Sequence, residues 1–209
     1  MKITMHRTHI DRFTALLYTG LLVVALTAFE STTAAQTPAA TTAPTSTPVV
    51  ALPTIRVKAG AEKDLKDSKG VIWKADSGFD DGQTIDRPEL KVAGTDTPEI
   101  YASEHYSMKS WSAKVPNGKY VLKLHFSEAF EGITNENGRA FNYSVKDGDA
   151  ASGKVVKEVK GFSPWKAAKA QYKAYVDTVP VELTKGQISV VFTAVTENPQ
   201  VNAIELKPQ

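Results

Sequence analysis

The chain contains no cysteine, and this absence excludes several kinds of protein chemistry. It rules out disulfide bonds, thiolate metal sites and the lipidated N-terminal cysteine of bacterial lipoproteins. A domain that functions outside the cytoplasm must then be stabilised by the packing of its core alone. His105 and His125 are the only histidines beyond residue 35, and they lack the spacing of a metal-binding pair. We therefore predict no metal site, no cofactor and no catalytic residue.

A strong excess of either charge is also missing. The chain has 25 Lys and Arg against 23 Asp and Glu, a formal net charge of +2. Without residues 1–35 the balance is 22 basic to 21 acidic residues. A near-neutral surface gives no electrostatic reason to bind nucleic acid or anionic lipid, so an uncharged ligand is favoured.

The N-terminal residues have the composition of a targeting segment. Lys2, Arg7 and Arg12 precede an apolar run over 13–29, and small residues follow before Gln36. This layout predicts a secretory signal peptide over residues 1–35. The alternative is an uncleaved membrane anchor, since the run is close to the shortest length that spans a bilayer. Residues 36–54 are rich in Thr, Ala and Pro, which predicts a disordered linker, and 55–209 would form one domain.

Long helical periodicity is absent from the predicted domain, where short alternating segments dominate. In the segment 118–130, Tyr120, Leu122, Leu124 and Phe126 alternate with polar residues, which predicts a strand with one buried face. Pro116-Asn117-Gly118 is typical of a hairpin turn. Strands are also predicted over 172–176 and 179–183, and a short helix over 164–170, with Pro in its first turn. We predict an all-β fold, an antiparallel β-sandwich of jelly-roll type.

Several of these segments together resemble the malectin domain, a β-sandwich family that binds carbohydrate. They are Arg56-Val-Lys-Ala-Gly60, Trp73-Lys-Ala-Asp-Ser-Gly-Phe79, Ile100-Tyr-Ala-Ser-Glu-His-Tyr106, Pro116 to Glu128, Arg139-Ala-Phe-Asn-Tyr-Ser-Val145 and Asn198-Pro-Gln-Val-Asn-Ala-Ile-Glu-Leu206. They occur in the family's order and span nearly all of 55–207. The resemblance implies a jelly-roll-like, galactose-binding-like sandwich with a sugar site in the loops at one end.

The resemblance also implies which residues contact the sugar. Aromatic residues of the family match Tyr101 and Phe130, and its acidic residue matches Glu197. Glu131 stands where the family has a second aromatic residue. We expect Tyr101 and Phe130 to stack on sugar rings, and Glu131, Glu197 and Asn198 to make polar contacts. Stacking on the C–H face of a pyranose and hydrogen bonds from its hydroxyls to carboxylates suit these residue types.

The sequence thus favours a secreted or cell-surface/periplasmic, non-catalytic module that binds a neutral oligosaccharide, with glucose-containing oligosaccharides as candidates. No nucleic-acid partner is expected, and a membrane is a partner only if the N-terminal segment stays uncleaved. Two alternatives remain open. One is a protein-interaction or structural module with the same fold, and the other is a glycoside hydrolase that pairs Glu128 with Glu131 or Glu197.

Overall fold

A computed structural model describes residues 51–209. The predicted signal peptide and residues 36–50 of the predicted linker lie outside the described residues. No helix within 51–209 is long and apolar enough to span a membrane. The described part contains a 3-10 helix, Pro98–Tyr101, and one short α-helix, α1, Pro164–Ala168. Its strands are β1 Ile55–Lys58, β2 Leu65–Lys66, β3 Ile72–Trp73, β4 Phe79–Asp80, β5 Gln83–Asp86, β6 Ser103–Tyr106, β7 Ser110–Lys114, β8 Gly118–Phe126, β9 Ala140–Asp147, β10 Lys154–Phe162, β11 Tyr175–Leu183, β12 Gln187–Thr196, β13 Gln200–Val201 and β14 Ala203–Pro208.

Two sheets of antiparallel strands form the body of the sandwich. One has the order β1-β14-β8-β11 and the other β10-β9-β12-β7-β4. Side chains from both sheets pack into one apolar core, and Trp111, Tyr120, Phe126, Phe141 and Ile188 are fully buried there. The expected all-β sandwich is confirmed, and its stability comes from this packing of two apolar sheet faces.

The end of β8 is buried on both faces, not on one. The predicted alternation holds from Gly118 to Leu124, but His125 on the opposite face is only 8% exposed. A second, smaller core covers that face, and its buried members are Trp73, Val92, Ile100, Tyr101 and Ala203. The period-two pattern cannot reveal this covering because loops that are distant in sequence supply it.

Two local expectations are wrong. Pro116-Asn117-Gly118 does not close a hairpin: β7 and β8 belong to different sheets, so this turn carries the chain across the sandwich. The strands predicted over 172–176 and 179–183 are one strand, β11, paired with β8 from Tyr175 to Leu183. The polar residue Asp177 obscured this continuity, but it accepts a hydrogen bond from the Tyr143 hydroxyl and pairs with Lys157 at 2.8 Å.

The predicted short helix is confirmed as α1, which ends at Ala168. Pro164 lies in its first turn, and Ser163 caps its N-terminus by accepting a hydrogen bond from the Lys166 amide. Lys169 ends the helix in the left-handed conformation, at φ 61°. The helix lies in the connection between β10 and β11.

The strand pairings define two ends of the sandwich. At one end Gly118 begins β8, and the neighbouring strands place Ile55 opposite Leu206 and Pro208 opposite Tyr120. At the other end β8 finishes at Phe126, close to the 3-10 helix and the second core. A small sheet of order β13-β6-β5 stands at this second end. The chain therefore enters and leaves its sheets at the end away from β13-β6-β5.

Candidate functional site

A cleft of about 220 Å³ opens at the β13-β6-β5 end of the sandwich. Its walls come from strand β5 and the residue after it, strand β6, the loop after β8, the residue before β9 and the turn between β12 and β13. The lining residues are Ile85, Arg87, Glu104, Tyr106, Phe130, Arg139, Glu197 and Asn198. This volume is below the ~300–1,000 Å³ typical of pockets for drug-sized ligands, so the cleft suits one or two small rings.

Phe130 supplies the exposed aromatic surface of the cleft. Its side chain is 45% exposed, and it is the only aromatic among the exposed large apolar side chains of residues 51–209. A Cβ atom on Gly132 would lie 2.6 Å from the Phe130 ring, so the ring lies directly against this glycine. The loop backbone is held too, because the Phe130 amide donates to Glu128 Oε1 at 3.1 Å and Gln171 Nε2 donates to the Phe130 carbonyl at 3.0 Å.

A buried ion pair fixes the loop after β8 to the rest of the cleft. Arg139 Nε donates to Glu128 Oε2 at 2.7 Å, and both side chains are almost fully buried. The same guanidinium donates through Nη1 to the Asn198 carbonyl. Arg139 thus joins the Phe130 loop to the turn that carries Glu197 and Asn198. A charge pair at this depth is tolerated because further hydrogen bonds satisfy both partners.

The turn between β12 and β13 presents Glu197 in an unusual backbone conformation. Glu197 has φ 61°, in the left-handed region that costs a non-glycine residue of order 1–2 kcal/mol. The turn is anchored to β6, since the Ser107 amide donates to the Pro199 carbonyl at 2.9 Å and Gln200 pairs with Tyr106. The Glu197 side chain is exposed at the cleft.

Strand β6 provides the polar floor of the cleft. Glu104 and Tyr106 alternate onto the same face, and both line the cleft. Arg87 Nη2 donates to Glu104 Oε1 at 3.2 Å, whereas Glu104 Oε2 is buried and has no partner among the described residues. Burial raises the pKa of Glu104 above the ordinary glutamate range, and the guanidiniums of Arg87 and Arg139 offset this only in part.

The neighbouring residue His105 points away from the cleft and forms hydrogen bonds to residues before and after β4. Its Nδ1 lies 2.9 Å from Asp76 Oδ2 and its Nε2 lies 2.9 Å from the Asp81 carbonyl. Burial lowers the pKa of His105, but the hydrogen bonds to Asp76 and Asp81 outweigh it, so the pKa is raised. Both ring nitrogens face acceptors, which suits the doubly protonated imidazolium.

Four of the five residues predicted to bind ligand lie on the surface, and three of them line the cleft. Phe130, Glu197 and Asn198 share it. Glu131 is exposed beside Phe130 but is not part of the lining. Tyr101 corrects an expectation: it is only 2% exposed, and its hydroxyl lies 3.0 Å from His125 Nδ1 in the second core. Burial raises the pKa of Tyr101 beyond the range in which phenols ordinarily ionise.

Sequence reasoning missed the charged part of the cleft. It did not single out Arg87 or Arg139, and it did not include Glu104 or Tyr106 among the residues predicted to bind ligand. The alternation of Glu104 and Tyr106 on either side of His105 is the one local signal that places them on a common face. Arg87 and Arg139 reach the cleft through long-range contacts that no spacing in the sequence reports.

Several other aromatic and polar side chains are buried and do not reach the cleft. Trp73 and Trp111 are core residues, 5% and 1% exposed. Asn202 is fully buried: it accepts from the Ser127 amide at 2.7 Å and donates to the Ser103 carbonyl at 2.9 Å. Among residues 51–209, no cluster of three or more His, Asp or Glu side chains could hold a metal ion.

A second, more open groove of about 670 Å³ lies on the other side of β5. Its lining includes Lys58, Glu62, Lys63, Asp64 and Asp86 but no aromatic residue. Lys58 is buried at its edge and donates to the Ser103 carbonyl at 3.1 Å and the Ala59 carbonyl at 3.3 Å. This groove lacks a stacking surface, so the smaller cleft is the better candidate site.

A family model described as the malectin domain matches residues 54–204 of the chain. No curated protein is similar enough in sequence to count as a match. The expected resemblance is therefore confirmed by a match that covers most of the described residues.

Solved structures share the fold at low sequence identity. A β-glucuronidase of Bacteroides uniformis matches with a TM-score of 0.61 and 18% identity over 75% of this chain and 18% of that chain. The ANXUR1 extracellular domain of Arabidopsis thaliana matches with a TM-score of 0.60 and 15% identity over 73% of this chain and 47% of that chain. The ANX2 ectodomain of the same plant has a TM-score of 0.59, with 16% identity over 73% of this chain and 48% of that chain. The chain thus spans about a fifth to a half of these proteins, and the likeness concerns the fold alone.

Proposed function

Because the chain belongs to the malectin domain family, we propose that it is a secreted, non-catalytic module that binds a neutral saccharide in the cleft between β6 and the Phe130 loop. The malectin fold is of a carbohydrate-binding type, and its family is generally non-catalytic. The chain would act outside the cytoplasm, at the cell surface, in the periplasm or in the medium.

The observation that carries the proposal is the exposed Phe130 ring beside carboxylate oxygens. A sugar ring placed on Phe130 would shed water from its C–H face and from the aromatic face together. The sugar hydroxyls would donate hydrogen bonds to Glu197 and to the floor of the cleft. Tyr106 would offer a second aromatic ring, which is held in place because its hydroxyl donates to Gln83 Oε1 at 2.7 Å. Oxygen acceptors beside an apolar platform are what a polyhydroxylated ring requires.

The cleft's rigidity supports binding without rearrangement. The Phe130 loop, the Glu197 turn and strand β6 are joined by the Arg139 contacts and the β6–β13 pairing. A preformed site loses little conformational entropy on binding. A small, shallow site of this kind is expected to have dissociation constants of about 1 μM to 1 mM, roughly −8 to −4 kcal/mol.

The environment of Glu128 argues against a hydrolase that pairs it with Glu131 or Glu197. A general acid or nucleophile needs a carboxyl group that can reach the substrate. Glu128 is fully buried, and both its oxygens are engaged by Arg139 or by the Phe130 amide. Glu131 lies outside the cleft lining. The binding role is therefore preferred over hydrolysis.

The test is a glycan array followed by calorimetric titration of the best saccharide, with wild type and Phe130→Ala. We expect Phe130→Ala to weaken binding about tenfold or more, as the loss of about 1.5 kcal/mol of stacking predicts. Val155→Ala is the matched control, because Val155 is a 51% exposed apolar residue outside the cleft. Its affinity should equal that of wild type. A wild-type protein that binds no saccharide at millimolar concentration would refute the proposal.

A further inference from the structure

The carboxyl group of Glu104 is the least satisfied polar group of the cleft. Its side chain is 3% exposed, and only Oε1 has a partner, the guanidinium of Arg87. Oε2 has none among residues 51–209. A buried carboxylate oxygen without a donor is costly, and native proteins rarely leave one in this state unless a ligand or water completes it.

The surroundings of Glu104 determine which donor can complete it. Arg139, the other cation of the cleft, is already engaged by Glu128 and the Asn198 carbonyl. Glu197 adds a further carboxylate and takes part in no ion pair among the described side chains. Each guanidinium thus faces one carboxylate, and Glu197 is in excess. With the buried Glu128 counted, three carboxylates stand against two guanidiniums, so the cleft and the ion pair beneath it have a surplus of acceptors and one excess negative charge.

From this arrangement we infer that Glu104 is the specificity-determining residue of the cleft, accepting a hydroxyl donor from an uncharged saccharide and excluding saccharides that carry a carboxylate. This inference rests on the proposed function and deepens it. The terminal torsion of a glutamate is soft, so a small rotation of the carboxyl presents Oε2 to a hydroxyl in the cleft. The single hydrogen bond from Arg87 to Oε1, at 3.2 Å, orients the carboxyl without preventing that rotation.

A saccharide that carries a carboxylate should bind the cleft poorly. Its carboxylate has no donor to offer Glu104 Oε2, and it would be repelled by Glu104 and Glu197 in a partly desolvated site. Arg87 and Arg139 bring no uncompensated positive charge to the cleft, because each is paired with a carboxylate. Replacing Glu104 by Gln would release Arg87 and reverse this selectivity.

The experiment compares two probes on the wild-type protein and two variants. The probes are the tightest-binding neutral glycoside from the array and the same glycoside with its terminal C6 hydroxyl oxidised to a carboxylate. Wild type should bind the neutral probe at least tenfold more tightly than the oxidised one. Glu104→Gln should bind the neutral probe about tenfold more weakly and the oxidised probe more tightly than wild type does.

Glu197→Gln is the matched control, because it removes the other carboxylate of the cleft without releasing a guanidinium. It should weaken binding of the neutral probe without making the oxidised probe preferred. The wild-type comparison of the two probes needs no variant, so it tests the inference even if Glu104→Gln does not fold.

The outcomes separate this inference from the proposed function. If wild type binds the neutral glycoside and Glu104→Gln binds both probes as wild type does, Glu104 is not the determinant although the chain still binds sugar. If wild type binds the oxidised probe as well as the neutral one, the predicted exclusion is wrong. If no saccharide binds at all, the proposed function fails and this inference fails with it.

Discussion

Two histidines near the cleft are in opposite electrostatic environments. His105 faces Asp76 and the Asp81 carbonyl, which favour its protonated form. His125 lies in the second core, where its Nε2 is buried without a partner among residues 51–209, and the indole of Trp73 meets its ring edge-on at 5.4 Å. Burial, opposed by the Glu205 carboxylate and aided by the Lys123 ammonium, lowers the pKa of His125 to about 4. His125 is therefore neutral over the physiological pH range.

We expect the contribution of His125 to the stability of the fold to fall as the pH drops from about 6.5 to about 4. Above pH 6.5 His125 is neutral in both states, so it contributes no pH dependence. Between its unfolded pKa of about 6.5 and its folded pKa of about 4, the unfolded chain binds a proton that the folded chain does not. This contribution of His125 to the free energy of unfolding should decrease by at most about 3 kcal/mol across this range, whereas His105, whose pKa is raised, acts in the opposite direction.

Urea unfolding at a series of pH values measures this effect. His125→Gln should flatten the pH dependence of the unfolding free energy between pH 6.5 and 4, because Gln does not titrate. Carboxylates also titrate near pH 4. The effect of His125 is therefore the difference in the pH dependence of the unfolding free energy between wild type and His125→Gln. Equal slopes in wild type and His125→Gln would show that His125 titrates normally in the folded state.

The β6 strand lies so close to the loop after β1 that one backbone position has no room for a side chain. Gly60 has φ +77°, and a Cβ atom on it would lie 2.5 Å from the Glu104 carbonyl oxygen. The Gly60 amide also donates to Asp76 Oδ2 at 2.6 Å. The position of Glu104 therefore depends on a close backbone approach that only glycine permits.

We expect Gly60→Ala to destabilise the fold by roughly 3 kcal/mol or more, through left-handed strain and overlap with β6 together. Gly161→Ala is the matched control, since Gly161 has φ +61° but no atom within 4 Å of a Cβ placed there. That variant should lose only about 1 kcal/mol, the cost of the conformation alone. Chemical denaturation of both variants measures the difference, and similar losses would mean that β6 moves aside freely.

At the scale of elements, the sequence predicts strands well and contacts between loops poorly. The alternation of Tyr120, Leu122, Leu124 and Phe126 gave β8 and its core face correctly, because period-two burial is a local property. Asp177 hid the continuity of β11, and the turn at Asn117 did not reveal which sheet follows it. Both features, the continuity of β11 and the choice of sheet after the turn, depend on strand partners that are distant in sequence.

The same distinction applies to the candidate site. Phe130, Glu197 and Asn198 lie on loops next to strand ends, where local pattern and family resemblance can locate them. Tyr101 also lies between predicted strands, but Trp73 and Val92, which are distant in sequence, pack against it and bury it. Burial of a loop aromatic is a tertiary property, so the sequence could not distinguish Tyr101 from Phe130.

At the scale of the whole molecule, Asn202 links several segments of the chain that meet at the cleft end of the sandwich. Its side chain accepts from the Ser127 amide and donates to the carbonyls of Tyr101 and Ser103. Its backbone carbonyl accepts from the Ala59 amide at 3.0 Å. One buried residue thus connects the ends of β1 and β8, the 3-10 helix and β6.

We expect Asn202→Ala to lower the free energy of unfolding by about 3 kcal/mol, since it leaves buried backbone groups without partners. Asn117→Ala removes one hydrogen bond, to the Gly186 amide, from an exposed turn and should cost less than about 1 kcal/mol. Denaturation measured by circular dichroism compares the two. A loss at Asn202 no greater than at Asn117 would contradict the proposed link.

The pairing of β1 and β14 has a practical meaning for anyone who immobilises or labels this domain. Leu52 packs against the main core near Gly118, and Pro208 lies opposite Tyr120, so both exits from the sheets point away from Phe130. A bead, a fluorophore or a fused protein attached at either of these residues would be held on the far side of the domain. The cleft would then face outward, open to polymers in suspension or on an opposing surface.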